Sequence, residues 1–305
     1  MSDKNWLPAA DRLRPLYKDG PEIGGIAWGM WRFRGDDVAA ATRLVETAID
    51  SGMTLLDTAD IYGPDNDEPF GASEALLGRV LADAPELRQR MVLATKGGIE
   101  MGTPYNSSAE YIECAVDASL KRLGCEHVDL WQIHRPDVLV HPEILAETLG
   151  KLVQSGKIGA VGVSNFTGAQ ISALNAYLDI PLASTQPEFS PLSLTPMENG
   201  EFDQAMEWGL TTLAWSPLGG GRISDPQSGR ERQVATALDE VAAQFGVTRA
   251  AAAFSWIMAH PVRPIPIVGS QTPARITEAV QAYDVRWTRQ SWYQVLTAAR
   301  GAPLP

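Results

Sequence analysis

The sequence predicts an α/β fold, a single (β/α)8 TIM barrel with its active site at the carboxyl ends of the strands. Three observations predict it: eight short apolar runs rich in β-branched residues, a helical segment between successive runs, and polar residues that close the runs on the carboxyl side. A chain of 305 residues has the length of one such barrel. Residues 1–305 are therefore read as one domain, with 1–20 as an N-terminal extension packed on the barrel or partly flexible.

The first run is "EIGGIAWGM" (22–30), followed by "DDVAAATRLVETAIDSG", whose apolar residues recur at helical spacing and whose end is a glycine. "MTLLD" (53–57) leads into "ASEALLGRVLADAP", and "MVLATK" (91–96) into "SAEYIECAVDASLKRLG". "VDLWQIH" (128–134) precedes "HPEILAETLGKLVQSG", "AVGVSN" (160–165) precedes "TGAQISALNAYL", and "LASTQ" (182–186) precedes "EFDQAMEWG". "TTLAWS" (211–216) is followed by "VATALDEVAAQFG" and by a second helix, "VTRAAAAFSWIMAHP" (247–261), before the eighth run, "PIPIVGS" (264–270). Such alternation indicates parallel βαβ units. An open doubly wound sheet would carry a G-x-G-x-x-G turn after its first strand, and this chain has none.

A formal charge of −12 and a pI near 4.8 exclude a nucleic-acid or anionic-membrane binder, because both need clustered Lys and Arg. The first twenty residues show no signal-peptide pattern, and no transmembrane run appears, so a cytoplasmic location is expected. Cys114 and Cys125 fall in one amphipathic segment without C-x-x-C spacing, as ordinary buried thiols would. The sequon at Asn106-Ser107-Ser108 reads as a loop and a helix cap.

Seven of the eight runs end polar or charged, in Asp57, Lys96, His134, Asn165, Gln186, Ser216 and Ser270. The carboxyl ends of barrel strands share one face, so these residues converge there. In "LLDTADIYG" (55–63), Tyr62 follows Asp57 by five positions. A phenol with an ordinary pKa near 10 transfers protons poorly at neutral pH unless a cation favours the phenolate. Lys96 can be that cation, Asp57 can hold Lys96 charged, and His134 can hydrogen-bond the oxygen that Tyr62 serves. The set suits proton transfer to a carbonyl oxygen. Singly, each has an ordinary structural explanation as a cap, a packed aromatic, a solvated strand end or a core histidine; their joint occurrence at strands two, three and four is the signal.

His127, His134 and His141 recur every seven residues. An odd separation along a strand puts the first two on opposite faces and, at about 3.3 Å per residue, more than ~20 Å apart, so no metal site is expected.

The ordered motifs "DTADIYG", "ATKGG", "DLWQIHRPD", "SGKIGAVGVSNF", "TQPEFSPL", "AWSPLGGGR" and "PIVGS" resemble the aldo/keto reductases, NAD(P)H-dependent oxidoreductases built on a (β/α)8 barrel. The wording is similar to a bacterial subgroup of predicted oxidoreductases. The resemblance implies catalytic roles for Asp57, Tyr62, Lys96 and His134, with Tyr62 as proton donor in reduction. It also implies cofactor contacts at Gly29, Met30, Trp31, Asp57, Ser164, Asn165 and Gln186, with Trp215 stacking on the nicotinamide. Ser216, Pro217, Leu218, Gly219, Gly220 and Arg222 would follow the pyrophosphate, and Gly269, Ser270, Thr272, Arg275 and Glu278 would lie at the adenosine 2′-phosphate and adenine. Gly269 stands where relatives often carry lysine and Ala279 where they often carry asparagine, so one positive contact is missing. Arg275 still supplies a charge, and NADPH is expected in preference to NADH.

Trp28, Trp31, Tyr105 and Phe189, with Tyr62 and His134, are the expected substrate-pocket residues. No Lys or Arg cluster marks an anionic substrate, so a neutral aldehyde or ketone is expected, sugar-like or polycyclic. The sequence leaves the oligomeric state open between a monomer and a weak dimer. Two other functions fit the same barrel: a cofactor-bound redox sensor or regulatory subunit with little turnover, and a phosphate-binding isomerase, which would not need Tyr62 and Lys96 together.

Overall fold

The structure is a computed structural model describing residues 5–304; residues 1–4 of the 1–20 extension and Pro305 lie outside the described residues. An antiparallel hairpin, β1 (Leu13–Pro15) and β2 (Glu22–Gly24), precedes eight parallel strands. These are β3 (Ala27–Gly29), β4 (Leu55–Asp57), β5 (Val92–Gly97), β6 (Val128–Ile133), β7 (Ile158–Ser164), β8 (Leu182–Gln186), β9 (Thr211–Ala214) and β10 (Ile265–Val268). They close into a barrel in the order β10-β3-β4-β5-β6-β7-β8-β9.

The helices are α1 (Val38–Asp50), α2 (Ala72–Asp83), α3 (Ala109–Leu123), α4 (Pro142–Gln154), α5 (Gly168–Asn175), α6 (Thr195–Glu198), α7 (Glu201–Trp208), α8 (Gly229–Phe245), α9 (Arg249–Met258), α10 (Pro273–Ala279) and α11 (Arg289–Arg300). Their starts are chemically marked. Asp37, Ser108, Thr167, Ser228, Thr248 and Thr288 each accept a backbone N–H of the first turn, and Gly124, Gly209, Gly246 and Gly301 end helices in the left-handed conformation. Ser108 is thus the cap expected of the sequon. α9 is the second helix expected between the last two strands.

Side chains alternate along the strands, and the core divides accordingly. Ala27, Leu55, Val92, Ala94, Leu130, Ala160, Leu213, Ile265 and Ile267 fill the barrel, while Trp28, Leu56, Leu93, Trp131, Val161 and Val163 pack outward against helices. Leu16 and Ile23 of the hairpin are fully buried in the inner cluster, and the Leu16 carbonyl accepts from Thr211 Oγ1 at 2.6 Å. Thr211 begins β9, so the hairpin plugs the amino end.

The first predicted run is therefore two strands, not one. A Cβ on Gly24 would stand 1.9 Å from the Gly52 carbonyl oxygen, and one on Gly25 2.2 Å from that of Asp11. This close backbone passage breaks the run. The cysteines also differ from expectation: Cys114 is exposed on α3, and Cys125 lies past the Gly124 cap, half-buried, with burial pushing its thiol pKa up.

Candidate active site

The alternation that turns Leu55, Ala94 and Leu130 into the barrel also turns Asp57, Lys96 and Gln132 inward, one layer nearer the carboxyl end. Lys96 is fully buried. Its Nζ donates to Asp57 Oδ2 at 2.8 Å, to the Thr58 carbonyl at 2.7 Å and to Tyr62 Oη at 3.1 Å, which uses all three ammonium hydrogens. Asp57 Oδ1 accepts from the amides of Gln132 (3.2 Å) and Gln186 (3.0 Å). Burial lowers the Lys96 pKa, but Asp57 and Tyr62 more than offset it, and the net direction is upward. The ammonium stays charged.

Tyr62 reaches this cluster from the loop after β4. Burial pushes its phenol above the ordinary value of 10, Lys96 pulls it back and Asp57 pushes it up, leaving it raised. The pull expected from Lys96 is present, but burial exceeds it, so the phenol holds its proton. His134 follows β6 and faces Tyr62 edge-on, ring centroids 5.9 Å apart. Burial drives its imidazole well below 6.5, and Lys96 and Arg135 act in the same direction, so the ring is neutral. Its Nδ1 is buried without a hydrogen-bond partner among the described residues. His127 precedes β6 and bonds Arg88, while His141 caps α4; the three histidines lie at separate places.

Beyond these strands, Ser164 Oγ donates to the Gln186 carbonyl at 2.9 Å, and Asn165 Nδ2 donates to the His134 carbonyl at 3.1 Å. Trp215 Nε1 donates to Asn165 Oδ1 at 3.0 Å. Asn165 and Ser216 both adopt left-handed backbone, with φ of 60° and 53°. At Gly219, φ is 59° and a Cβ would stand 2.9 Å from Leu192 Cδ1, so this turn requires glycine. The 216–222 loop differs from expectation in one respect. Its amides are bonded internally, Gly219 to the Ser216 carbonyl, Gly220 to Ser216 Oγ and Gly221 to the Leu218 carbonyl, rather than left for a phosphate. Arg222 donates to the Gly219 carbonyl and faces Glu231 at 3.8 Å. Pro217 is buried, Leu218 half-buried and Gly220 exposed.

Not every expected residue reaches the face. Phe189 is fully buried, stacked on Trp256 (5.7 Å) and edge-on to Phe202 (4.7 Å), inside the helix layer rather than on a pocket wall. Trp28 is fully buried and points outward from β3, donating to the Ser270 carbonyl. Met30 is buried in the same layer, and its carbonyl accepts from Ser73. Gly29 ends β3 beside Asp57. Trp31 and Tyr105, 40% and 41% exposed, stand on loops after β3 and β5. Thr272 and Arg275 are exposed, and Gly269, Ser270 and Glu278 half-buried, at the end of β10 and on α10.

Three residues near the cluster escaped the sequence reading. Gln132 braces Asp57 and was hidden two positions before His134, although strand alternation marks it as inward. Arg135 lies 5.9 Å from the centre of the Trp215 ring and contributes its positive field to Tyr62 and His134. Asp60 is buried behind the barrel wall, and among the described residues only the adjacent Ile61 backbone comes near its carboxylate as a donor, without forming a full hydrogen bond.

A closed parallel barrel with a buried Asp-Lys-Tyr cluster beside a neutral histidine defines a class of carbonyl-handling oxidoreductases, and sequence comparison gives the family. The sequence model of the Aldo/keto reductase family matches residues 25–299, and the chain belongs to that family of enzymes. It is 56% identical over 307 residues, covering all of both chains, to a 6-dehydroglucose reductase of Novosphingobium aromaticivorans. It is 36% identical to a 6-dehydroglucose reductase of Agrobacterium fabrum, over 94% of this chain and 98% of that one. The fold matches a crystal structure of a thermostable aldo-keto reductase in complex with the inhibitor epalrestat, with TM-score 0.80 and 22% identity over 94% of this chain and 99% of that one. Reductases of this family use a nicotinamide cofactor and a small carbonyl substrate. Among the described residues no helix is long and apolar enough to cross a membrane.

Proposed function

We propose that the chain is an NADPH-dependent reductase of a sugar aldehyde of the 6-dehydroglucose type, with Tyr62 as proton donor. One observation carries the chemistry: a single ammonium, Lys96 Nζ, bonds both Asp57 and Tyr62 at 2.8 and 3.1 Å, beside His134. The substrate class rests on the 56% identity along the whole chain.

The nicotinamide, when bound, supplies the hydride to the carbonyl carbon. As negative charge develops on the carbonyl oxygen, Tyr62 Oη gives up its proton to it, and the resulting phenolate is stabilised by Lys96. Asp57 keeps Lys96 charged and aimed. His134, being neutral, offers a hydrogen bond to the substrate oxygen without competing as an acid. Arg135, 5.9 Å from the centre of the Trp215 ring and acting electrostatically on Tyr62 and His134, adds positive potential where charge develops and is suited to hold sugar hydroxyls.

The residues present fit the cofactor. Trp215 is half-buried and fixed by Asn165. Gly220 and Gly221 have open space around them. In a chain of net charge −12, Arg32, Arg135 and Arg275 have no carboxylate in ion-pair contact among the described residues. Such guanidiniums suit an anionic dinucleotide. Ser164, Asn165 and Gln186 would hold the carboxamide, the 216–222 loop would hold the pyrophosphate by exchanging its internal amide bonds for bonds to phosphate, and Ser270, Thr272, Arg275 and Glu278 would hold the adenosine end.

The test is a titration with NADPH and NADH followed by tryptophan quenching, then turnover of 6-dehydroglucose against simple aldehydes and ketones at 340 nm. Tyr62→Phe is expected to reduce kcat at least about 100-fold with nucleotide Kd within about twofold, since proton transfer by a positioned side chain contributes roughly 10²–10⁴-fold. Retained turnover would refute the assignment to Tyr62. Preference for simple aldehydes would refute the sugar reading.

A further inference from the structure

We propose that Arg32 supplies the second positive contact to the 2′-phosphate of NADPH, in place of the lysine that position 269 lacks. This rests on the reading that 270–278 hold the adenosine end. Arg32 Nη1 lies 3.6 Å from where a Cβ on Gly269 would stand and, outside the adjoining residues 268–270, is the one atom of the described residues within 4 Å of that point. A guanidinium from the loop after β3 therefore occupies the start of the path a side chain at 269 would take. The cation is transferred from one strand end to its neighbour.

Its position is set from two sides. The guanidinium lies over the Trp31 ring, 4.5 Å from the centroid. Trp31 is itself clasped to the next loop, its Nε1 donating to Asp65 Oδ2 at 3.3 Å and its carbonyl accepting from Asn66 Nδ2 at 2.7 Å. The ends of β3 and β10 are tied by Trp28 Nε1 to the Ser270 carbonyl (2.9 Å) and by Gln271 Nε2 to the Gly29 carbonyl (3.3 Å). Arg32 and the 269–275 segment thus hold one geometry relative to each other.

Charge makes the same point. Some arginines are taken up by carboxylates, as Arg90 is by Asp50 and Arg249 by Asp239, while others such as Arg34, Arg43 and Arg289 have no ion pair among the described residues. Arg32 and Arg275 likewise have no carboxylate in ion-pair contact among the described residues. A ribose 2′-phosphate is close to dianionic at neutral pH, and two guanidiniums match it where Arg275 alone would not. The pyrophosphate is common to NADPH and NADH, so a contact there would not discriminate between them.

The experiment is equilibrium titration of Arg32→Ala, Arg275→Ala and the double variant Arg32→Ala/Gly269→Lys with NADP+ and NAD+, read by tryptophan quenching, with melting curves as a folding control. Arg32→Ala is expected to weaken NADP+ by about tenfold, the order of one charge-assisted contact, and NAD+ by less than about twofold. Outside the adjoining residues, the Cβ of a lysine at 269 would approach only the side chain removed in the double variant, so the double variant is expected to recover most of the NADP+ affinity. Equal losses for both nucleotides, or no loss, would overturn the proposal. If Arg275→Ala lowers the NADP+ to NAD+ preference while Arg32→Ala does not, Arg32 alone is misassigned; if neither changes it, the adenosine-end reading fails as well.

Discussion

Asp60, two residues before Tyr62, and Lys96, bonded to its hydroxyl, are both buried ionisable groups, yet their surroundings differ. Lys96 has three acceptors. Asp60 has a carboxylate without a full hydrogen bond among the described residues, facing Trp131: a Cβ on Gly97 would touch Trp131 at 2.5 Å and Asp60 Oδ2 at 3.0 Å. Burial raises its pKa well above 3.8; Glu74 on α2 raises it further, while Arg122 on α3, the Ile61 backbone and Lys96 on β5 pull it down. A carboxyl raised in the folded state contributes stability that is present below its unfolded pKa and is lost as pH rises through the folded one. Asp60→Asn removes that loss, so its melting temperature is expected to gain on wild type from pH 5 to pH 9. A constant difference would show that Asp60 does not titrate in this way. Asp57 and Lys96 were legible because a charge ending an apolar strand needs a site to justify it. Asp60 and Arg135 were not: each stands beside a residue with a louder signal, and the surroundings of Asp60 come from Glu74 and Arg122 on helices distant in sequence.

Helices were legible from their caps, and strands from short β-branched runs. Direction of a loop side chain was not. Phe189 leaves β8 three residues past its end, and only the helix layer shows that it joins Phe202 and Trp256. The same layer holds Glu201 at the start of α7, buried, with Oε1 accepting from Thr185 Oγ1 of β8 at 2.9 Å. Burial raises its pKa from 4.5 to about 7, against the opposing bonds of Thr185 and Asn199. The stability it contributes is therefore lost between about pH 4.5 and 7. At about 1.4 kcal/mol per tenfold change in proton affinity, that is roughly 3 kcal/mol. Glu201→Gln keeps the acceptor and does not titrate. It is expected to gain stability over wild type from pH 5 to pH 7 and hold that gain constant above, in denaturant unfolding; a gain that does not depend on pH would place its origin in packing instead.

The whole molecule separates its tasks by end. The carboxyl face carries Asp57, Tyr62, Lys96 and His134, while the amino end is sealed by the hairpin, whose split from the barrel was invisible to periodicity because it depends on Gly24 passing the Gly52 backbone. Leu16, fully buried in the plug, lies beside the start of β9. Leu16→Ala is expected to lower unfolding free energy by about 2–5 kcal/mol, the usual range for emptying a buried leucine site. Nucleotide affinity should stay within about twofold of wild type, because active sites of such barrels are built from the opposite face. Denaturant unfolding and fluorescence titration of the same preparation would measure both. Loss of affinity in step with stability would mean that the plug sets the geometry of the strand ends, and that the two faces are coupled through the inner layer of Leu55, Ala94 and Leu130.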